Sequence, residues 1–190
     1  MVVPEFLRRF IDWLFASLAA KFKVHETERR VLIWGSLPFF AKFLGDGILF
    51  LWDTEEGDFS FASNTTLILN DVTCLYQTQF LPEISKHVSK PPARLRCGVA
   101  RGQIISIGDG NDYVGSCINV ASRLQKLSKL TFSISRRGFD ISQAAEDPRW
   151  KEFALKKVEL RGVGSEELVY IKRREFRRLS TRERKLFRAP

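Results

Sequence analysis

Three polar residues punctuate the segment NDYVGSCINVASRLQKLS (residues 111–128): Asp112, then Asn119, then Arg123. The apolar residues among them, Val114, Ile118, Val120, Leu124 and Leu127, suffice for a helix without any of the three. On such a helix Asn119 and Arg123, at i and i+4, share one face and can reach one ligand. A guanidinium fork matches the oxygens of a carboxylate or phosphate two at a time. Each residue also has an ordinary role open to it: Asn119 as a helix cap, Arg123 as a solvated charge, Asp112 as a turn residue. A second acid, Asp46, stands in Gly45-Asp46-Gly47 between two apolar runs, with Lys42 four positions before it.

By length, 190 residues, the chain that must position these groups is one globular domain with a sizeable core. Its 44% hydrophobic content and sixteen Phe argue for folding over disorder. Cys74, Cys97 and Cys117 are odd in number, lack C-x-x-C spacing and have only two His for company. That pattern implies reduced thiols in a cytoplasmic protein and excludes a disulfide framework or a zinc site. Of the net charge of +9, nine basic residues from Lys172 to Arg188 against Glu175 and Glu183 supply +7, leaving +2 for the rest. Residues 172–190 thus form a basic tail, expected to be helical, with Phe176, Leu179 and Leu186 or Phe187 on one stripe. It reads either as a solvated helix or as a surface for an acidic partner, nucleic acid or membrane. Near the N-terminus, LRRFIDWLFASLAA mimics an export signal. Asp12 interrupts it, however, and Leu7, Ile11, Leu14, Leu18 and Phe22 follow the stripe of a core-facing helix. No run approaches the roughly 20 apolar residues of a transmembrane segment.

Pro4 is placed to open that first helix, which runs to about Phe22. After the charged stretch KVHETERR and then VLIWGSLPFF, AKFLGDGILFLW reads as two strands joined by a tight turn. A helical pattern over about 62–88 ends at KPPA. RLRCGVARGQIISIG gives two more strands, with Gly98 and Gly102 where the backbone bends or approaches closely. A helix over Asn119–Leu127, a strand at LTFSIS, a helix or loop at QAAEDPRWKEF, and a closing pair of strands at KKVELRG and ELVYIKR complete the chain. The fold class is α/β, an α+β sandwich on a mostly antiparallel sheet with flanking helices.

Four blocks then occur in order: KFLGDG (42–47), GVARGQI (98–104), DYVGSCINVASRL (112–124) and VELRGVG (158–164). Together, with the D-x6-N-x3-R spacing kept, they resemble the catalytic domain of class III nucleotidyl cyclases over residues 1–171. The resemblance implies attack of a ribose 3′-hydroxyl on the α-phosphate of a nucleoside triphosphate, with pyrophosphate leaving. Asp46 matches the family's hairpin metal aspartate, and hard carboxylate oxygen suits Mg²⁺ or Mn²⁺. Asn119 is implied to orient the ribose and Arg123 to stabilise charge on the α-phosphate. Lys42 and Asp112 match the base-reading positions, with Tyr113 beside them, and Arg161 is a candidate phosphate contact. The family further implies a homodimer with active sites at its interface.

The chain also departs from the family. Members begin with a strand carrying a further metal aspartate, whereas only MVV precedes the first helix here. Asp12 stands too close to Asp46 and within a helical stripe, so the N-terminal strand is expected to be absent here: either the true start, with the other metal aspartate, lies upstream of Met1, which the intact blocks favour, or the chain is a degenerate cyclase-like domain. Val163 stands where some adenylyl cyclases carry a phosphate-binding Lys, with Arg161 nearby to compensate. A Lys–Asp pair fits the donor–acceptor order of adenine and cytosine and argues against GTP. Phe39, Phe40 and Tyr113 add bulk that favours a smaller base. Without membrane or sensory domains, the chain is similar to stand-alone pyrimidine cyclases of bacterial anti-phage systems. The reading therefore leans to UTP or CTP, with ATP as the alternative. A catalytically silent nucleotide-binding or dimerisation module, and a nucleic-acid binder acting through the basic tail, are the competing classes.

Overall fold

The structure is a computed structural model that describes all residues except 1–2, 23–24, 28–29, 33–35, 46, 55–58, 128 and 140–146. Its contacts divide the chain into two units, Met1–Ala93 and Arg94–Pro190.

In the first unit, Pro4 lies in the opening turn of α1 (Val3–Lys21), where its missing N–H costs nothing. The stripe read from the sequence is the buried one: Leu14, Leu18 and Phe22 pack with Ile68 and Val72 of α2 (Phe59–Leu75). The charged stretch after the first helix forms a short antiparallel hairpin, β1 (His25–Thr27) with β2 (Arg30–Leu32). As the Gly-Asp-Gly turn implied, β3 (Phe40–Phe43) pairs antiparallel with β4 (Ile48–Leu51), and Gly45 adopts φ 76°. Beyond α2 the chain widens into a π-helical turn, Tyr76–Phe80, before α3 (Leu81–Ile84). Rings of Phe10, Trp13, Tyr76 and Phe80 cluster there, Trp13 and Phe80 with centroids 4.9 Å apart. The prolines that end the helical pattern are tied back, since the Tyr76 hydroxyl donates to the Pro92 carbonyl and the Gln77 amide to that of Ala93.

The second unit is built on a five-stranded sheet of order β11-β9-β10-β8-β5. Here β5 is Cys97–Val99, β8 Phe132–Ser135, β9 Phe153–Leu160, β10 Gly164–Lys172 and β11 Phe187–Arg188. All neighbours are antiparallel except β5 with β8. The fold is thus mixed α/β, a mostly antiparallel sheet with helices. Between β5 and β8 the chain makes a hairpin, β6 (Ile105–Ile107) with β7 (Asp112–Val114), and then α4 (Ser116–Leu124). The basic segment is helical, α5 (Arg173–Arg178) and α6 (Thr181–Arg184), but it ends as a strand instead of trailing away. Leu179 and Phe187 are buried with Val120, Leu124, Val158 and Val169 in this unit's core, and Phe176 packs against them. Leu186, the other candidate for that stripe, is 59% exposed. Among the described residues no helix is long and apolar enough to cross a membrane.

Candidate functional site

Helix α4 has two committed faces. Cys117, Val120 and Leu124 are buried, while Ser116, Asn119 and Arg123 form an exposed stripe one turn apart. The helix is held very close to the sheet: a Cβ at Gly98 would lie 2.2 Å from the Ala121 carbonyl oxygen and 2.9 Å from Leu124 Cβ. No side chain fits, so glycine at this point of β5 sets the depth at which α4 rests. Gly102 is close to α4 as well, 3.1 Å from Cys117 Cβ by the same measure. Both glycines thus serve close approach, as the sequence implied. Asn119 is not a cap. The N-cap is Gly115, whose would-be Cβ is 2.6 Å from the Gln103 carbonyl, and Asn119 lies a full turn inside. Arg123 occupies the last turn, where a cation complements the carbonyl end of the helix.

Asp112 belongs to a strand, not to a turn. The turn is 108–111, where Gly108, Asp109 and Gly110 all have positive φ (59°, 54° and 90°). The register pairs Ile105 with Val114, Ser106 with Tyr113 and Ile107 with Asp112. Cross-strand partners share a face and neighbours along a strand do not. Asp112 therefore shares its face with Ile105, Ile107 and Val114, whereas Tyr113 is on the opposite one. Tyr113 folds over the turn, its hydroxyl 3.6 Å from where a Gly110 Cβ would be. One Asp112 oxygen accepts from the Tyr113 N–H at 2.9 Å. The three apolar residues on the Asp112 face are 69%, 49% and 47% exposed.

Of the other candidates, Arg161 is exposed in the β9–β10 turn. Gly162 beside it has φ 76°, and the Val163 N–H donates to the Leu160 carbonyl at 2.9 Å. Val163 itself packs on the core that contains Leu160 and Leu124, which accounts for an aliphatic residue there. Lys42 lies on β3 in the first unit, opposite Leu49. Asp46 lies outside the described residues. Asp112, Tyr113, Asn119, Arg123 and Arg161 are thus carried by one unit and Lys42 by the other. Among the described residues no group of three or more His, Cys, Asp or Glu gathers to hold a metal.

Two recesses fall outside every motif. One of 360 Å³ is lined by Arg136, Arg137, Glu166, Glu167 and Leu168, and it contains an ion pair of Arg137 with the buried Glu167 carboxylate. Another, of 210 Å³, lies among Arg9, Asp12, Phe80, Glu83, Ile84 and His87. Apart from Asp12 in the second, none of the residues weighed in the sequence lines either. The Arg137–Glu167 pairing carries no signal in the sequence because its two halves lie 30 residues apart on separate elements. None of the three cysteines is in a disulfide among the described residues; burial pushes the Cys97 thiol up to about 12, which keeps it protonated at neutral pH. No protein-family model matches the chain, and no curated protein matches it.

Proposed function

We propose that the chain is a nucleotidyl cyclase of the class III type, forming a 3′,5′-cyclic nucleotide and pyrophosphate from a nucleoside triphosphate. The observation that carries this reading is the α4 surface. Asn119 and Arg123 stand side by side and exposed on a helix whose opposite face is fixed to β5 through Gly98. In this reading Asn119 orients the ribose through its amide, and Arg123 meets the charge that grows on the α-phosphate oxygens during attack. Arg161 contacts the phosphates, and Lys42 and Asp112 read the base. Asp46 is the proposed ligand for Mg²⁺ or Mn²⁺, which would neutralise the triphosphate charge.

Exposure of Asn119 and Arg123 suits a site completed by a second copy. The apolar face of Ile105, Ile107 and Val114, which also carries Asp112, supports a homodimer. The preferred substrate is a pyrimidine nucleotide, UTP or CTP, with ATP second, and the setting is cytoplasmic antiviral signalling in bacteria. This preference rests on the resemblance and on the aromatic residues near Lys42, since Tyr113 turns away from the Asp112 face. A silent nucleotide-binding or dimerisation module is the second reading, because the exposed hairpin favours association whether or not chemistry follows.

The test is incubation of purified protein and Mn²⁺ with equal concentrations of ATP, GTP, CTP and UTP, with products resolved by mass. A cyclic nucleotide that disappears in Arg123→Ala supports the cyclase, and dominant cyclic UMP or CMP supports the pyrimidine preference. Dominant cyclic AMP overturns that preference alone. Nucleotide binding without pyrophosphate release overturns the enzyme.

A further inference from the structure

Every Arg and Lys from Arg173 to Arg188 is exposed, seven arginines and one lysine. The two acids among them face inward. Glu175 accepts from the Thr131 N–H at 2.8 Å and from the Thr131 hydroxyl. Glu183 accepts from the Ser180 N–H at 2.9 Å and hydroxyl at 2.7 Å, and lies 3.5 Å from the Lys129 ammonium. Arg173 donates to the Lys151 carbonyl and Arg188 pairs with Glu166 at 3.6 Å. The side chains of Arg174, Arg177, Arg178, Arg182, Arg184 and Lys185 have no hydrogen-bond or ion-pair partner among the described residues. Six cations thus project without internal compensation from a segment that is rigidly seated.

The seating decides what kind of anion this surface takes. A membrane-surface helix needs a free apolar face beside its basic one. Here that face is spent: Leu179 is buried, and the Phe176 ring packs edge-on against Phe187 with centroids 5.8 Å apart. Leu186 is the one large apolar side chain of the segment left exposed. What remains outside is almost purely guanidinium, which binds phosphate oxygens two at a time. On α5, Arg174, Arg177 and Arg178 fall within an arc of about 100°, since each residue advances the helix by that angle. The geometry points to a nucleic-acid-binding surface across α5 and α6 that takes the phosphodiester backbone of RNA or DNA. Contacts of this kind fix affinity but read no base edges, so binding tolerates any sequence.

Fluorescence anisotropy of the whole chain with labelled mixed-sequence oligonucleotides of about 20 nucleotides, single-stranded and duplex, tests this over a salt series starting near 50 mM. Binding should weaken steeply with salt. Joint replacement Arg174→Gln, Arg177→Gln and Arg178→Gln should lower affinity roughly tenfold or more and reduce the duplex salt slope by about 2 to 3, close to 0.9 for each phosphate no longer neutralised. The pair Arg182→Gln and Arg184→Gln, with unchanged melting, should weaken binding independently, and Arg8→Gln in the first unit should not. No oligonucleotide binding at the lowest salt overturns the proposal, as does unchanged binding in both variants. Retention on phosphatidylserine vesicles without oligonucleotide binding overturns it in favour of a membrane partner.

Discussion

The two hairpins that carry the candidate acids are built alike and finished differently. In β3–β4, Ile48 and Phe50 of β4, followed by Trp52, lie against the α1–α2 core, and Phe15 meets Phe50 edge-on at 5.7 Å. The Trp52 indole also donates to the Ser36 carbonyl at 2.8 Å. In β6–β7 the corresponding apolar row, Ile105, Ile107 and Val114, is open to solvent. The β4 row is covered by its own unit, although Phe43 opposite Ile48 is itself 53% exposed, whereas the β6–β7 row is a presented surface over its whole length. The difference teaches that apolar patterning in a strand reports that a face needs covering, and leaves open whether the chain itself covers it.

Substitutions can break this contrast. Phe50→Ala should cost about 3 kcal/mol of stability, because it removes a ring from the covered face; urea unfolding measures it. Arg123→Ala and Asn119→Ala should each lower turnover on the order of 10²-fold while leaving nucleotide affinity nearly unchanged. Steady-state kinetics beside equilibrium nucleotide binding separates the two, and turnover at the parent rate would refute the assigned roles. Gly98→Ala should destabilise by about 2 kcal/mol, since a methyl cannot fit beneath the Ala121 carbonyl without lifting α4.

A smaller effect attends the capping box at α6. Ser180→Ala should cost about 1 kcal/mol. Its bonds to Ser180 hold the Glu183 carboxyl down at about 2 from an ordinary 4.5. The stabilisation from this ionised group is therefore complete above about pH 4.5 and fades as pH falls towards 2, which melting curves across that range would follow. Ile105→Lys, at the most exposed position of the row and opposite Val114, should alter stability least, by under about 0.5 kcal/mol, while shifting any dimer towards monomer in sedimentation. A loss as large as that of Phe50→Ala would erase the distinction between the hairpins.

The elements legible in the sequence are those with long or sharply punctuated patterns. The stripe from Leu7 to Phe22, the Gly45-Asp46-Gly47 turn and the break at KPPA each announce a local rule. The strand Asp112–Val114 is not legible because three residues show no usable alternation, and Asp112 in isolation looks like a turn residue. The two residues of β11 are likewise too short to read, and their pairing with β9 depends on a partner far along the chain. Asn119 and Arg123 can be placed on one helix face because i, i+4 spacing is local. Division of the candidates between two units cannot be read, because it depends on long-range contacts. Gly98 stands out in the sequence as a point of close approach, but only the fold shows what approaches it.

The order of the five-stranded sheet bears on how the chain behaves in a crowded solution. Its long strands, β9 and β10, are interior, and its edges are the three residues of β5 and the two of β11. A short edge offers few unpaired amides and carbonyls for a passing strand to template on. The stretch of β9 before its pairing with β11 carries Lys156, whose ammonium lies 5.0 Å from the Phe176 ring centroid. Charge in that position discourages edge-to-edge addition. The sheet can thus be rich in β-branched and aromatic residues inside without inviting fibrous self-association along its margins.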